Sequence, residues 1–347
     1  MSAATMSIDA HIAVPERGVD CRISIPGAGL IALLGPNGSG KSTVLAALAG
    51  TLTPARGHAR LDQSVLFDVG DPGAGTIDAA ARRITLVTQK DDLFPSLTVL
   101  DNVAFGIRAR GVSRADARAA AHQHLAAGDL EDLADRRPAT LSGGQARRVA
   151  IIRALAAEPR ALLLDEPFAG IDVEAAIAVR GLVRQAGRTI TTVIATHDAA
   201  DAWGLADHVV VLDSGSVADA GTTQAVLSQP VSRFAAAMAG RVLLRGTAAA
   251  TGLTLDDGTV VAAELCGLSP GDAALVAISP RHVQVTEAVN GDVTDVVARI
   301  EHHGDAMRVW GHLLAADVDP EQGVDLRVGD PISFALAPRP ELYSPTR

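Results

Sequence analysis

Two textures of hydrophobic patterning divide the chain. Up to about residue 240, short continuous apolar runs alternate with segments whose apolar residues recur at three- and four-residue spacing. "LIALLG" (30–35), "RRITLVTQ" (82–89), "ALLLDEP" (161–167), "TITTVIATH" (189–197) and "DHVVVLDSG" (207–215) have the uninterrupted apolar character of strands buried on both faces. Between them, Leu45, Leu48, Ala49 and Leu52 mark a helix closed by Pro54 and Gly57, and further helices are predicted over Ala115–Leu125 and Ala146–Ala157. Strands alternating with helices predict an α/β domain whose parallel sheet is covered on both faces.

From Arg241 the helical spacing fades. "GLTLDDGTVVAAEL", "DAALVAISPRHVQV", "DVTDVVARIEHHGDAMRVWGHL" and "LRVGDPISFAL" are β-rich runs separated by Asp-Gly, His-Gly, Gly-Asp and Asp-Pro turn signals. They predict a small barrel or sandwich, and with it a division into residues 1–240 and 241–347. This second part carries 8 Arg against 15 Asp and Glu, so a polyanion-binding surface is not expected there. "SPRHV", with Ser279, Arg281 and His282, reads either as a contact for a single anion or as plain polarity on a strand edge.

Charge and composition narrow the function classes. A formal charge of -10 over 347 residues speaks against nucleic acid as a partner. The uncharged run Ile23 to Gly40 is broken by Pro26, Pro36 and five glycines, so it is not a spanning helix. The first residues, "MSAATMSIDAHIAV", lack the basic patch and apolar core of a signal peptide. Cys21 and Cys266 form no disulfide framework or zinc cluster and read as two buried free thiols in a reducing cytosol. Of 30 basic residues only Lys41 and Lys90 are lysine, which singles out position 41 as a place for a compact ammonium.

Lys41 stands in "GPNGSGKST", which fits G-x-x-x-x-G-K-[ST] between a predicted buried strand and a helix start. Gly35, Gly38 and Gly40 let the backbone curl so that successive N–H groups and the helix dipole face phosphates. Pro36, Asn37, Ser39 and Thr43 complete the loop, Lys41 reaches the β- and γ-phosphates, and the Ser42 hydroxyl suits a Mg²⁺ ion. "ALLLDEP" drives a strand through the core and leaves Asp165 and Glu166 at its C-terminal end, where open α/β sheets bind ligands. Asp165 suits the Mg²⁺ shell and Glu166 the polarisation of an attacking water. His197 closes another strand at the same rim, as a strand cap or as a hydrogen-bond partner of the γ-phosphate. Gln89 likewise ends a strand, followed by Leu93, Phe94, Pro95, Leu97 and Val99, which would either pack a helical subdomain or form a groove for a partner's short helix.

Taken together, "GPNGSGKST", "VTQKDDLFPSLTVLDNVAFG", "LSGGQARRVAIIRALAAEPRALLLDEPFAGID" and "VIATHD" resemble, in order, the Walker A, Q-loop, signature, Walker B with D-loop, and switch-histidine segments of ABC-transporter ATPases. The resemblance covers roughly residues 1 to 235. It implies a P-loop NTPase fold with a helical subdomain near residues 90–158, ATP hydrolysis with Mg²⁺, and catalytic roles for Glu166 and His197. It assigns Gln89 to Mg²⁺ and to sensing the transport subunit, and Ser142, Gly143, Gly144, Gln145 and Asp172 to ATP binding in a head-to-tail homodimer. Integral-membrane permease subunits, an extracytoplasmic solute-binding protein and a peripheral place on the cytoplasmic membrane face follow as expectations.

The β-rich tail resembles the TOBE/MOP-like extension of importer ATPases, and the whole chain is most similar to those of molybdate importers. Another solute (sulfate, iron, polyamine or sugar) is the alternative, and a non-transport ABC ATPase a more distant one. The pattern departs from the family at one place. No Phe, Trp or Tyr precedes Phe67 to stack on adenine, so His11 or Val14 would have to stand in, and loose discrimination between ATP and GTP is expected.

Overall fold

Leu30–Leu34, every residue of it buried, runs through the middle of a six-stranded sheet. In the computed structural model, which describes residues 7–25, 29–70, 75–286 and 291–345, the strand order is Ser216–Thr222, His208–Asp213, Leu30–Leu34, Thr191–Thr196, Ala161–Asp165, Ile84–Val87. All neighbours are parallel except the antiparallel edge pair Ser216–Thr222 and His208–Asp213. Each Leu, Ile or Val taken from water into such a core contributes about 1.5–3 kcal/mol, which is why these runs read as continuous apolar stretches.

The sheet aligns the C-terminal ends of three strands, at Leu34, Asp165 and Thr196. The phosphate loop, Glu166 and His197 therefore emerge on one rim. The helix after the loop is Lys41–Ala49 and stops at Gly50 (φ 86°), whose N–H bonds to Ala46 and Ala47 carbonyls, before the Pro54 boundary that spacing suggested. The Arg82 guanidinium binds the carbonyls of Ala47 (2.7 Å) and Leu48 (2.9 Å) at that helix end. Arg82 itself closes a short helix, Ala79–Arg82, so the following strand starts at Ile84 rather than at residue 82.

A four-stranded sheet, order Val19–Ile25, Ile8–Val14, Arg56–Leu61, Ser64–Val69, is antiparallel throughout and was not anticipated. Its signal is nevertheless present in "VDCRISI", where Val19, Cys21, Ile23 and Ile25 are buried and Asp20, Arg22 and Ser24 exposed. The buried face shares one core with the Lys41–Ala49 helix. The helical subdomain consists of Val99–Ala109, Arg114–Ala127 and Gly143–Ala156, capped at their starts by Thr98, Ser113 and Ser142. Of the residues read either as subdomain packing or as a partner groove, Val99 is fully buried in this subdomain's core, while Phe94 and Pro95 are exposed.

The compact units divide at Thr223/Gln224, upstream of the textural change at Arg241. The reason is packing: Ala236, on the helix Arg233–Met238, shares a cluster with Leu243, Leu275, Ala277 and Tyr343, and the Tyr343 hydroxyl donates to the Pro230 carbonyl at 2.7 Å. The rest of the second unit is β-rich. Val260–Ala262, Gly252–Thr254, Val242–Ala249 and Ala273–Ile278 form one antiparallel sheet, and two three-stranded sheets follow around a shared core. Pro280–His282 is a 3-10 turn, not a strand edge. Among the described residues no helix is long and apolar enough to cross a membrane.

Candidate active site

Backbone geometry sets the first wall of the site. A Cβ at residue 35 would lie 2.3 Å from the Leu212 carbonyl oxygen, so only glycine permits the strand to turn into the loop there. Gly40 (φ 102°) then starts the helix in a left-handed conformation that side-chain-bearing residues avoid. Lys41 is buried, and its ammonium donates to the carbonyls of Gly35 (2.8 Å) and Pro36 (3.0 Å), folding the loop around its own cation. Burial lowers the Lys41 pKa below the usual lysine value, with the carboxylates of Glu166 and Asp165 pulling the other way.

The opposite wall is acidic. Asn37, Gly38, Gly40, Lys41, Ser42, Thr43, Gln89, Asp165, Glu166 and His197 line one cleft of about 400 Å³. Glu166 is a non-glycine residue at φ 50°, held there by its N–H bond to the Ala195 carbonyl (2.9 Å). Such a conformation costs about 1–3 kcal/mol and persists where the surroundings over-determine it. Its Oε1 lies 2.9 Å from His197 Nδ1, joining two residues that come from different strands. Asp165 Oδ1 is buried without a hydrogen-bond partner beside the Ser42 and Gln89 positions, which is the environment a cation would complete. Gly35, Pro36 and Ser39 build the loop's inner turn, with the Ser39 N–H on the Pro36 carbonyl at 3.2 Å.

Ser142, Gly143, Gly144, Gln145 and Asp172 are not among the residues lining this cleft. Ser142 and Gln145 form a reciprocal capping box, the Ser142 hydroxyl accepting from the Gln145 N–H (3.2 Å) and the Gln145 side chain from the Ser142 N–H (3.0 Å). The S-x-x-Q spacing carried that signal. Ser142 and Gly143 are exposed, whereas Gly144 is buried so closely that a Cβ would stand 2.2 Å from Ala175 Cβ. Asp172 caps the next helix, Val173–Gly187, accepting from the Ala175 N–H at 2.8 Å.

Arg147 ties this helix to the Gln89 turn. It is 4% exposed, pairs through Nε with Asp91 (2.6 Å), and donates to the carbonyls of Gln89 (2.7 Å) and Thr88 (3.4 Å). Arg153 donates to the Asp91 and Asp92 carbonyls and covers the Phe94 ring. Arg147 and Arg153 of this helix thus grip the backbone of the turn, while Arg148 donates to the Gly128 carbonyl.

Neither proposed substitute for an adenine-stacking aromatic reaches the cleft. Val14 is fully buried in the core, and His11 Nε2 is held by Asp20 at 2.8 Å. Arg17, not singled out by any motif, lines the cleft instead. Its signal was the turn "PERG", with Pro15 opening a 3-10 turn and Gly18 (φ 64°) closing it between two strands. Of the two thiols expected to be buried, only Cys21 is; Cys266 is exposed.

The profile of a family described as "ABC transporter" matches residues 20–169. The chain is 40% identical over 335 residues to the molybdenum import ATP-binding protein ModC of Mycobacterium tuberculosis (strain ATCC 25618 / H37Rv), which covers 91% of this chain and 90% of that protein. It is 35% identical over 352 residues to the sulfate/thiosulfate import ATP-binding protein CysA of Burkholderia mallei (94% of this chain, 95% of that protein). Likeness to the sn-glycerol-3-phosphate import ATP-binding protein UgpC of Chromohalobacter salexigens is 35% over 266 residues (75% and 70%).

Proposed function

The chain belongs to the ATP-binding proteins of ABC transporters, and from that premise we propose that it is the ATP-hydrolysing subunit of an importer for molybdate. The observation that carries the solute is the 40% identity to a molybdenum import protein over 91% of the chain, β-rich tail included. Sulfate is the reading to be tested against it.

In the proposed reaction the loop amides and Lys41 hold the β- and γ-phosphates, binding the growing charge of the transition state by preorganised donors. Glu166 accepts a proton from the attacking water, and His197, hydrogen-bonded to Glu166, orients that pair toward the γ-phosphate. Ser42, Gln89 and Asp165 would hold Mg²⁺, which neutralises phosphate charge when bound; the orphaned Asp165 Oδ1 supports this assignment. The outward exposure of Ser142 and Gly143, away from their own chain's cleft, favours a head-to-tail homodimer in which each signature turn completes the partner's site. Val173 and Ile177, 75% and 62% exposed beside Asp172, are apolar surface that such a partner would cover.

Phe94 and Phe105, exposed with ring centroids 4.5 Å apart, are the proposed contact for a permease helix at the cytoplasmic membrane face. An extracytoplasmic solute-binding protein would act through that permease. The test is reconstitution with permease and binding protein, with molybdate, tungstate or sulfate supplied on the binding-protein side. Molybdate is expected to stimulate ATP hydrolysis; stimulation by sulfate alone would replace the solute, and none by any oxyanion would end the import reading.

A further inference from the structure

We infer that the Arg17 guanidinium is the platform on which the nucleobase stacks, holding the base through a planar cation where no aromatic ring is present. The inference rests on the nucleotide-binding reading above.

The cleft has a well-furnished phosphate end and a sparse remainder. Loop backbone, Lys41 and the carboxylates of Asp165 and Glu166 account for phosphate and metal, and none of the lining residues is Phe, Trp or Tyr. Arg17 alone enters from the antiparallel sheet side, on the turn joining Ile8–Val14 to Val19–Ile25. That turn is firmly built. Pro15 fixes its start, the Gly18 N–H returns to the Pro15 carbonyl (3.0 Å), and the Asp20 N–H reaches the Gly215 carbonyl (2.9 Å). Gly215 packs so closely that a Cβ there would stand 1.8 Å from the Gly18 carbonyl oxygen.

On this fixed base the Arg17 side chain is exposed, and among the described residues it forms no hydrogen bond, ion pair or ring contact. A guanidinium offers a flat, weakly hydrated face that stacks on π-systems, and nucleobases are such faces. Having donors only, and directing them in its own plane, a stacked guanidinium does not read the hydrogen-bonding edge of the base. Adenine and guanine should therefore be held alike, which gives the expected loose discrimination a physical cause.

The test is isothermal titration of the full-length chain with the non-hydrolysable imido analogues of ATP and GTP, and with inorganic tripolyphosphate, which has no base. Arg17→Ala is expected to weaken both analogues about five- to tenfold, the scale of a cation–π contact, and to leave tripolyphosphate unchanged. Arg17→Lys, keeping charge without a plane, should not restore binding, and Arg17→Trp should. Parallel weakening of tripolyphosphate would make Arg17 a phosphate contact, and unchanged analogue binding by Arg17→Ala would remove it from the base site; either result overturns the inference. Failure of the unmodified chain to bind both analogues would instead overturn the nucleotide-binding reading.

Discussion

Glu166 Oε1 and His197 Nδ1 lie 2.9 Å apart, although 31 residues separate them in the chain. Parallel pairing of Ala161–Asp165 with Thr191–Thr196 brings them together, since Asp165 faces Ala195 across the sheet. Glu166 is the more enclosed, 15% against 54% exposed for His197. As the proposed general base, Glu166 is probed by Glu166→Gln, which keeps its shape while removing its basicity. Glu166→Gln is expected to bind ATP with unchanged affinity and to lose at least about 100-fold in turnover. Adding His197→Ala to it should cost little more, because the two act as a unit. Steady-state phosphate release checks both; wild-type turnover by Glu166→Gln would remove it as the base.

Much of this site was legible because its chemistry is local in sequence. The phosphate loop and "ALLLDEP" each occupy a strand end, and a continuous apolar run says where a buried strand stops. What was hidden depended on distant backbone. Arg17 reaches the cleft only because the "PERG" turn is seated against Gly215, and nothing in the first 20 residues specifies that contact. The antiparallel sheet was similarly obscured, since its alternation is brief and its partner strands are split by the Lys41–Ala49 helix. The burial of Val99 and Gly144 followed from packing between elements that periodicity describes one at a time.

Arg147 is expected to couple the signature helix to the Gln89 turn and to stabilise the domain. Its guanidinium, 4% exposed, forms an ion pair with Asp91 and donates to two carbonyls, while burial raises the Asp91 pKa against the opposing pull of Arg147. Arg147→Ala would leave the half-buried Asp91 without its partner, at a cost of about 3 kcal/mol. The double variant Arg147→Ala/Asp91→Ala should lose less than the sum of the single changes. Urea denaturation of the full chain measures both, and a loss below about 1 kcal/mol would show the pair to be incidental.

The two thiols should separate cleanly in reactivity. Burial pushes the Cys21 thiol up to about 12, with Asp20 adding to the shift, and Cys21 sits in the shared core of the antiparallel sheet. Cys266 is exposed. Ellman's reagent at pH 8 is expected to titrate one thiol in the folded chain and two after denaturation, and Cys266→Ser should abolish the first. Prompt labelling of both in the folded state would contradict the packing around Cys21.

Acid should weaken the second unit through Asp295. Its carboxylate, 7% exposed, accepts from the backbone N–H groups of Val296 (2.8 Å), His312 (2.7 Å) and Leu313 (3.0 Å), and lies 2.8 Å from His312 Nδ1. Burial alone would raise its pKa, but these bonds outweigh it and hold the group below the usual carboxylate value. With the folded pKa below the unfolded one, the stabilisation is complete above about pH 4 and is lost as pH falls through the folded value. Asp295→Asn is therefore expected to destabilise the unit by about 1–3 kcal/mol at pH 7, with the difference from wild type narrowing toward pH 3. Trp310, whose indole N–H donates to Glu301 at 3.0 Å under the Arg299 guanidinium, reports on this unit. Its emission during urea unfolding, followed in a Trp203→Phe background, gives the stability at each pH; a difference that stays constant from pH 7 to pH 3 would exclude Asp295 as the titrating group.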